Sequence, residues 1–332
     1  MKILYIRRHP SMGYSIERVS KPISDYFTEK QQAATIILQT HDYSLKSLLR
    51  NVKQVVEAIR KERPNIVHIQ GTEHYLCYIT RFFKGIKTVV TVHDIGFYTN
   101  VKHSFRIWLK KYLFIDSLKK ADALTFISVY TEQQTKETIN SKAIKTYFIP
   151  NTAPEEYCYS PKAINTQCPT LLHIGTKKNK NLHTTIKALE GLKCKLRIIG
   201  SLDNDDIELL KECRIDYSSA KDLTDEEIHK EYVDCDVVSF ISLFEGFGMP
   251  IIEGQAIGRP VITSNIEPMK SVAGKGACVV DPNDINSIRE GIKSMLNSPD
   301  KYIEAGEENI KRYSLNNIAK QYENVYASLT LK

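Results

Sequence analysis

One strand–turn–helix stretch in the second half of the chain constrains the fold more than any other feature. The apolar residues 237–241 predict a buried strand, and residues 251–257 predict a helix soon after it. Pro250 suits the first turn of that helix, because the N–H that proline lacks would have no intrahelical partner there. Gly246 and Gly248 let the backbone turn sharply between the two elements. This order of elements is typical of an α/β sheet.

Two glutamates flank the glycine turn. Glu245 lies on the loop at the carboxyl end of the strand, and Glu253 lies about one turn into the helix. Ligands of open α/β sheets bind at this edge, and the free N–H groups at a helix start favour an anion such as a diphosphate. Carboxylates accept hydrogen bonds from the hydroxyls of sugars and ribose. The stretch therefore predicts a site for an anionic, hydroxylated ligand.

The same residues resemble a known family. Glu245 and Glu253, with seven residues between them and Gly-Phe-Gly after the first, resemble the paired-glutamate signature of retaining glycosyltransferases of family 4, or glycosyl transferases group 1. Residues 256–264 also resemble this family, and the similarity extends more loosely into the N-terminal half. It implies the GT-B fold, an α/β architecture in which two Rossmann-like doubly wound domains face each other across a cleft. The alternative is that both glutamates simply lie near a helix start in an unrelated α/β protein.

The length of 332 residues, with 42% hydrophobic and 26% charged residues, fits two globular domains. We predict an acceptor-binding domain over residues 1–150, a linker or hinge over residues 151–169, and a nucleotide-sugar donor domain over residues 170–313. In the resembled fold, a last helix at about residues 314–332 packs back on the first domain.

Several classes of protein are disfavoured by composition. No run approaches the ~18 apolar residues of a membrane-spanning helix, and the apolar start of the chain is too short for a signal peptide. Seven cysteines without a Cys-x-x-Cys pair predict reduced thiols rather than disulfides or a zinc site. We therefore expect a cytoplasmic protein, with a peripheral position at the inner face of the plasma membrane left open.

The charge is unevenly distributed. Residues 1–150 carry 24 Lys+Arg and 12 Asp+Glu, a net charge of +12, whereas residues 151–332 carry 22 and 27, a net charge of −5. An anionic membrane surface, a lipid-diphosphate acceptor or nucleic acid could each account for the basic half, and a merely solvated surface is the alternative. No nucleic-acid module is recognisable, so nucleic acid is not an expected partner. A basic and aromatic helix predicted over residues 101–119 is either an ordinary amphipathic helix or a shallow membrane contact.

Two loops of the first domain carry candidate residues. Gly13 follows the first predicted strand, and the resemblance implies that its backbone approaches the donor. His93 follows the strand at residues 88–92 and precedes Asp94, so it is placed to contact a substrate or to serve as a structural histidine. In the resembled family, a histidine at this position contacts the transferred sugar.

A lysine-rich glycine loop opens the second domain. Gly175 and Thr176 precede lysines and a predicted helix, a pattern that favours phosphate binding, although an exposed turn without a ligand is the alternative. The resemblance makes Lys180 the phosphate-binding lysine of the family. Many relatives have an arginine where Thr176 stands. The cation that replaces it could be Lys177 or Lys178, or backbone amides could suffice.

No metal or other cofactor is expected. The Asp203-Asn204-Asp205 sequence resembles the metal motif of another glycosyltransferase fold, but its position before a helix favours a role at the helix start. The resemblance implies that the loop around Leu223 contacts the nucleotide base.

The resemblance implies a retaining glycosyltransferase that moves a sugar from a nucleotide-diphosphate donor to a glycan or lipid-linked acceptor, in bacterial cell-surface polysaccharide synthesis. It implies that Glu253 holds the ribose and Glu245 the sugar hydroxyls, and that His93, Lys180 and Glu245 are catalytic. The alternatives are a nucleotide-sugar epimerase or phosphorylase of the same fold, or a non-catalytic basic protein that binds membranes or nucleic acid. The expected donor-binding residues are Gly13, Gly175, Thr176, Lys180, Leu223, Glu245, Gly246, Phe247, Gly248, Met249 and Glu253.

Overall fold

The protein is represented by a computed structural model, which describes residues 1–9, 11, 14–40, 42, 44–94, 105–139 and 144–330. The chain divides into two compact units. The first combines Met1–Thr152 with Leu315–Lys332, and the second comprises Ala153–Ser314. Across the described ranges, no helix has both the length and the apolar character needed to cross a bilayer.

The first unit has strands β1 (Ile3–Arg7), β2 (Ala33–Ile37), β3 (Ile66–Ile69), β4 (Lys87–Val92), β5 (Ala123–Phe126) and β6 (Lys145–Phe148). Its helices are α1 (Tyr14–Glu29), α2 (Leu45–Glu62), α3 (Leu76–Thr80), α4 (Phe105–Phe114), α5 (Val129–Ile139) and, from the chain's end, α13 (Leu315–Thr330).

The second unit has strands β7 (Thr170–Ile174), β8 (Lys195–Ile199), β9 (Asp216–Ala220), β10 (Val237–Phe240), β11 (Val261–Ser264) and β12 (Ala277–Val280). Its helices are α6 (Leu182–Leu189), α7 (Asn204–Glu212), α8 (Asp225–Asp234), α9 (Met249–Ile257), α10 (Met269–Ala273), α11 (Ile285–Asn297) and α12 (Pro299–Ile310).

Each unit contains one six-stranded parallel sheet, but the strand orders differ. The first sheet runs β2-β1-β3-β4-β5-β6, and the second runs β12-β11-β10-β7-β8-β9. The order along the chain therefore reverses between β1 and β3 in the first unit and between β7 and β10 in the second. Ligands of doubly wound proteins bind outside the carboxyl ends of the strands at such a reversal. The fold thus places one candidate binding position in each unit.

The central strands are buried on both faces, which explains why they are short apolar runs rather than alternating patterns. Every residue of β1, β3, β5, β10 and β11 is buried, whereas the edge strands β6 and β9 keep exposed residues. Strand β9 carries few apolar side chains, and the sequence patterns did not indicate it. The short helices α3 and α10 were not predicted either.

Helix α13 completes the core of the first unit. Tyr322, Val325 and Tyr326 are buried against the sheet in a cluster that includes Tyr5 and Phe27. The Tyr326 hydroxyl lies 2.8 Å from the Tyr5 hydroxyl. It also lies 2.7 Å from Nδ1 of His68. The helix is therefore fixed by buried hydrogen bonds as well as by apolar packing.

Two sequence expectations differ from the structure. The helix expected over residues 101–119 is described only as α4, and a 3₁₀ turn (Asp116–Lys120) follows it. Residues 101–104 lie outside the described ranges. The segment expected as a linker belongs largely to the second unit, where the Ser160 amide donates to the Ile257 carbonyl at 3.1 Å. Arg259, which is buried, donates from Nη1 to the Ser160 carbonyl at 2.8 Å.

Candidate functional site

Two loops meet at the carboxyl edge of the second sheet, where the strand order reverses. Residues 175–181 follow β7 and residues 242–248 follow β10, and these two strands are hydrogen-bonded neighbours. The Leu243 amide donates to the carbonyl of Asn179 at 2.8 Å, which ties the two loops together. Glycine-rich turns and neighbouring strand ends therefore bring the predicted phosphate loop beside the paired-glutamate segment.

Lys180 and Glu245 form the centre of this site. The Lys180 Nζ atom lies 2.6 Å from Oε1 of Glu245, and their side chains are 21% and 16% exposed. Nδ2 of Asn179 donates to the same carboxylate oxygen at 3.1 Å. The sequence indicated Lys180 and Glu245 separately, and the structure shows them in direct contact. Asn179 had no individual signal beyond its position on the loop.

The loop geometry holds the lysine in place. Gly175 has φ = +90°, and a Cβ built on it would lie 2.9 Å from Cγ of Lys180. Any larger residue would therefore be strained and would displace the lysine stem. Nζ of Lys180 also lies 4.8 Å from the centre of the Phe240 ring, a favourable cation–π position.

Asn181 anchors the end of the same loop. It has φ = +61°, and its side-chain amide donates to the carbonyls of Ile241 at 3.1 Å and Pro282 at 2.7 Å. These bonds join the start of α6 to the ends of two other segments. Asn181 is therefore placed as a structural residue that positions Lys180.

Thr176 is turned toward the neighbouring strand. Its hydroxyl donates to the Ser201 carbonyl at 2.7 Å. A pocket of about 370 Å³ is lined by Thr176, Lys177 and Lys178 together with Asp203 and other residues. The lysines next to this pocket are exposed, so which cation replaces the family arginine stays a prediction.

The turn before α9 is largely buried. Gly248 precedes α9 with φ = +114°, and Met249 and Pro250 form the first turn. Phe247 is 4% exposed and packs edge-on against Tyr313, so its ring belongs to the core. Gly246 is half-buried.

The two glutamates have different surroundings. Glu253 is 3% exposed, and its Oε2 accepts a short hydrogen bond from the hydroxyl of Tyr232, which is itself fully buried. Tyr232 lies on α8, 21 positions earlier in the chain, and nothing in the local sequence pairs it with Glu253. Leu223 is half-buried in the loop before α8, and Thr224 is the N-cap of that helix.

The remaining candidates lie in the first unit. His93 is 9% exposed and forms a hydrogen bond to backbone of Gln70. Burial, together with the nearby Arg8 cation, lowers the pKa of His93 to about 3, so the ring is neutral at physiological pH. Gly13 lies outside the described residues. Lys180 and His93 belong to different units.

The aspartates of the Asp-x-Asp sequence serve a helix. Asp203 is the N-cap of α7 and accepts from the Asp206 amide at 2.9 Å, while Asp206 accepts from the Asp203 amide at 3.0 Å. This confirms the helix-start interpretation of Asp203. Within the described ranges, no three His, Cys, Asp or Glu side chains are grouped as a metal site would require.

Two family models match the chain and together cover most of it. The model described as "Glycosyl transferases group 1" matches residues 160–312. The model described as "Glycosyltransferase Family 4" matches residues 19–156. The chain belongs to the group 1 glycosyltransferases. The paired-glutamate turn and the lysine loop both lie within the first match.

Curated relatives of this group 1 glycosyltransferase include a mannosyltransferase and a galactosyltransferase. O-antigen chain mannosyltransferase B of Escherichia coli is 33% identical over 109 residues, which are 32% of this chain and 28% of that protein. The UDP-Gal:alpha-D-GlcNAc-diphosphoundecaprenol alpha-1,3-galactosyltransferase of Escherichia coli is 23% identical over 348 residues, 95% of this chain and 89% of that protein. Against the mannosyltransferase and two further relatives, the chain spans only 28%, 26% and 27% of their lengths.

A solved relative has the same fold. Anabaena HepE in complex with UDP-glucose aligns with a TM-score of 0.72 at 15% identity, over 99% of this chain and 100% of that one. At this identity the likeness concerns the fold alone. Together with the two parallel six-stranded sheets, it confirms the predicted α/β class, two Rossmann-like domains of the GT-B type.

Proposed function

We propose that this group 1 glycosyltransferase moves a sugar from a nucleotide-diphosphate donor to a glycan or lipid-linked acceptor, with retention at the anomeric carbon and without a metal ion or other cofactor. The observation that carries the proposal is the contact between Lys180 and Glu245 at the strand reversal of the second unit. A cation and a hydrogen-bond acceptor on one edge match a ligand that joins a diphosphate to a hydroxylated sugar.

The donor would occupy the second unit. Lys180 and the backbone amides of residues 246–248 would take the diphosphate, because both are donors beside a helix start. Glu245 would then exchange its lysine partner for hydroxyls of the sugar, and Glu253 would hold the ribose beside Tyr232. Since Glu253 is buried, this last contact requires a local opening when the nucleotide enters. HepE, a protein of the same fold, was solved with UDP-glucose.

The reaction exchanges one bond at the anomeric carbon. The bond from this carbon to the diphosphate oxygen breaks, and both electrons leave with the nucleoside diphosphate. The acceptor hydroxyl oxygen forms the new bond on the same face, and its proton passes to the leaving diphosphate. Lys180 would stabilise the charge that develops on the diphosphate, a preorganised electrostatic effect.

The acceptor and location are part of the proposal. The relatives named above include enzymes of O-antigen synthesis and one that acts on a diphosphoundecaprenol acceptor. A cytoplasmic enzyme acting on such acceptors would work at the inner face of the plasma membrane. The net charge of +12 on residues 1–150 would favour anionic headgroups there.

A donor screen tests the proposal. The full chain is titrated calorimetrically with UDP-, GDP-, ADP- and dTDP-sugars. At least one nucleotide sugar should bind more tightly than the same free sugar without its nucleotide. NMR of the product formed on a lipid-linked oligosaccharide should then show the donor's anomeric configuration. Binding of no nucleotide sugar, or an inverted product, would contradict the proposal. Interconversion of the nucleotide sugar without any acceptor would instead indicate an epimerase.

Metal independence has a separate test. Treatment with EDTA, followed by gel filtration, should leave the transfer rate unchanged. A complete loss that Mg²⁺ or Mn²⁺ restores would contradict this part of the proposal and return attention to Asp203 and Asp205.

A further inference from the structure

Three cysteines line one cavity at the amino edge of the second sheet. Cys168, Cys194 and Cys213 are free thiols, and all three lie in the wall of a cavity of about 730 Å³. Cys168 lies shortly before β7, Cys194 directly before β8, and Cys213 directly after α7. Lys180 and Glu245 follow the carboxyl ends of the strands, so the cavity lies at the opposite edge of the sheet. The thiols therefore have no part in the site described above.

The pairing of β7 with β8 brings Cys168 beside Cys194. Thr170 pairs with Lys195 in this parallel ladder, and the Lys195 amide donates to the Pro169 carbonyl at 2.9 Å. Pro169, the neighbour of Cys168, therefore lies opposite Cys194. With strands about 4.8 Å apart and successive Cα atoms about 3.8 Å apart, the Cα atoms of the two cysteines are roughly 6 Å apart. This separation falls within the range of about 4.4–6.8 Å that a disulfide can join.

Hydrogen bonds fix the segment that carries Cys168. Its amide donates to Oδ1 of Asn165 at 3.1 Å. The Asn165 amide donates to Oδ1 of Asp236 at 3.1 Å, and the Thr170 amide donates to Oδ2 of the same carboxylate at 2.9 Å. Asp236 itself is buried. The backbone is therefore anchored on both sides of Cys168, which keeps this residue beside the start of β8.

The two thiols differ in their access to solvent. Cys168 is half-buried, whereas Cys194 is 9% exposed. Burial, together with the nearby Cys168 thiol and the Asp216 carboxylate, raises the pKa of Cys194 to about 11. Cys194 is therefore protonated at neutral pH, and a dissolved oxidant reaches Cys168 first.

We infer that Cys168 and Cys194 form a modification site, at which hydrogen peroxide produces an intramolecular disulfide. The Cys168 thiolate attacks one peroxide oxygen, the O–O bond breaks, and Cys168 becomes a sulfenic acid while the released hydroxide takes up a proton as water. The Cys194 sulfur then attacks the Cys168 sulfur and expels the hydroxyl group, which leaves as a second water with the Cys194 proton. The two thiols lose two electrons, and one peroxide is reduced to two waters.

The disulfide acts on the second unit through the segment that it closes. Residues 168–194 contain β7, the loop that carries Lys180, and α6. A disulfide across a segment of this length stabilises the folded state, because it restricts the unfolded chain more than the folded one. The thermal midpoint of unfolding should therefore rise by roughly 5 °C in the oxidised chain.

Peptide mapping tests the inference. The full chain is reduced, freed of reductant, treated with hydrogen peroxide, and then alkylated with N-ethylmaleimide under denaturing conditions. Mass spectrometry of a non-reduced tryptic digest should find the peptides of Cys168 and Cys194 joined, with two hydrogen atoms fewer than the separate peptides. Dithiothreitol should separate them. In the untreated native chain, N-ethylmaleimide should label Cys168 at least about tenfold faster than Cys194.

Three variants identify the pair. Cys158→Ser is the matched control, because Cys158 is exposed and lies outside the cavity wall, and this variant should keep the link. Cys194→Ser should abolish the link and leave a sulfenic acid on Cys168 that dimedone labels. Peroxide should not raise the thermal midpoint of this variant. Should Cys194→Ser not fold, Cys168→Ser removes the other partner and should also prevent the link.

The inference is overturned if the peroxide-treated wild type contains no link between Cys168 and Cys194, or if Cys194 is joined to Cys213 instead. Loss of the link in Cys158→Ser would contradict it as well. No nucleotide sugar enters these measurements, so their outcome is separate from that of the proposed glycosyl transfer.

Discussion

The two units have the same kind of sheet but place different chemistry at the strand reversal. In the second unit the reversal carries a partly exposed ion pair, Lys180 with Glu245, on loops that turn at glycines with positive φ. In the first unit the strands next to the reversal end in buried polar residues: Gln70 follows β3, and His93, which is neutral at physiological pH, follows β4 near Arg8. The charged pair of the second unit suits the diphosphate of the proposed donor. The comparison indicates that the sheet topology sets where a ligand binds, and that the side chains at that position set which ligand it is.

The largest effect should come from the charged site. Lys180→Ala should lower turnover about a hundredfold or more, because a preorganised donor to the leaving diphosphate is lost. Nucleotide affinity should fall less. Steady-state kinetics with the donor found in the screen measure both quantities, and Lys187→Ala on the exposed side of α6 is the control. A wild-type kcat in Lys180→Ala would remove the lysine from the mechanism.

The second effect concerns acid stability and should be strongest in the first unit. Burial lowers the pKa of His68 and His93 to about 3 and that of His74 to about 4, each from an ordinary 6.5. In the second unit burial, with Lys180 nearby, lowers the pKa of His173 to about 4. Between these values and 6.5 the unfolded chain binds more protons than the folded one, so stability is complete above pH 6.5 and falls as the pH drops.

Thermal unfolding from pH 7.5 down to pH 4.5 measures this effect. Circular dichroism follows the unfolding of the whole chain, and its midpoint should fall as the pH drops below 6.5. A midpoint that does not change over this range would show that the buried histidines titrate normally.

A smaller effect should come from the hydroxyl that fixes α13. Tyr326→Phe leaves the buried Tyr5 hydroxyl and His68 Nδ1 without this partner, so the free energy of unfolding should fall by about 1–3 kcal/mol. Tyr147→Phe removes an exposed hydroxyl 3.0 Å from Ser328 on the same helix and should change it by less than about 0.5 kcal/mol. Chemical denaturation measures both. Equal losses in the two variants would contradict the importance of burial here.

The smallest effect should be that of the buried glutamate. Glu253→Gln keeps the shape of the side chain, and the affinity for the nucleotide should fall about tenfold through weaker binding of the ribose hydroxyls. A double-mutant cycle with 2′- and 3′-deoxynucleotides tests the cause, since the deoxy ligand should lose affinity for the wild type but little for the variant. The variant Tyr232→Phe measures separately how much of the affinity depends on the hydrogen bond from Tyr232 to Glu253. If the affinity lost through Glu253→Gln and the affinity lost through the deoxy ligand simply add, Glu253 does not bind the ribose hydroxyls.

Local patterns predicted much of the second unit. The strand, the glycine turn and the proline at the helix start are short-range features, so the positions of Glu245, Gly248 and Pro250 followed from the sequence. The role of Asp203 at a helix start was equally local. Contacts between distant residues were not accessible in this way. The bond from Tyr232 to Glu253 and the support of Lys180 by Gly175 and Asn179 depend on how separate segments pack.

The first unit was harder to predict because its polar residues at the strand ends form no motif. Gln70 is an ordinary residue after a strand, and its burial and its backbone contact with His93 appear only in the structure. Helix α4 ends at Phe114, before the end that its periodicity indicated, and a separate 3₁₀ turn follows at Asp116–Lys120.

The sequence by itself determined the fold class, the family and the residues of the glycine turn and lysine loop, because backbone preferences and chain-local spacing are properties of neighbouring residues. The tertiary structure alone decided which strands became neighbours, that Lys180 meets Glu245, and that Glu253 is enclosed with Tyr232. It also decided that Gln70 and His93 share one buried position. Burial and partner choice depend on contacts between segments far apart in the chain, and these exist only once the sheets have formed.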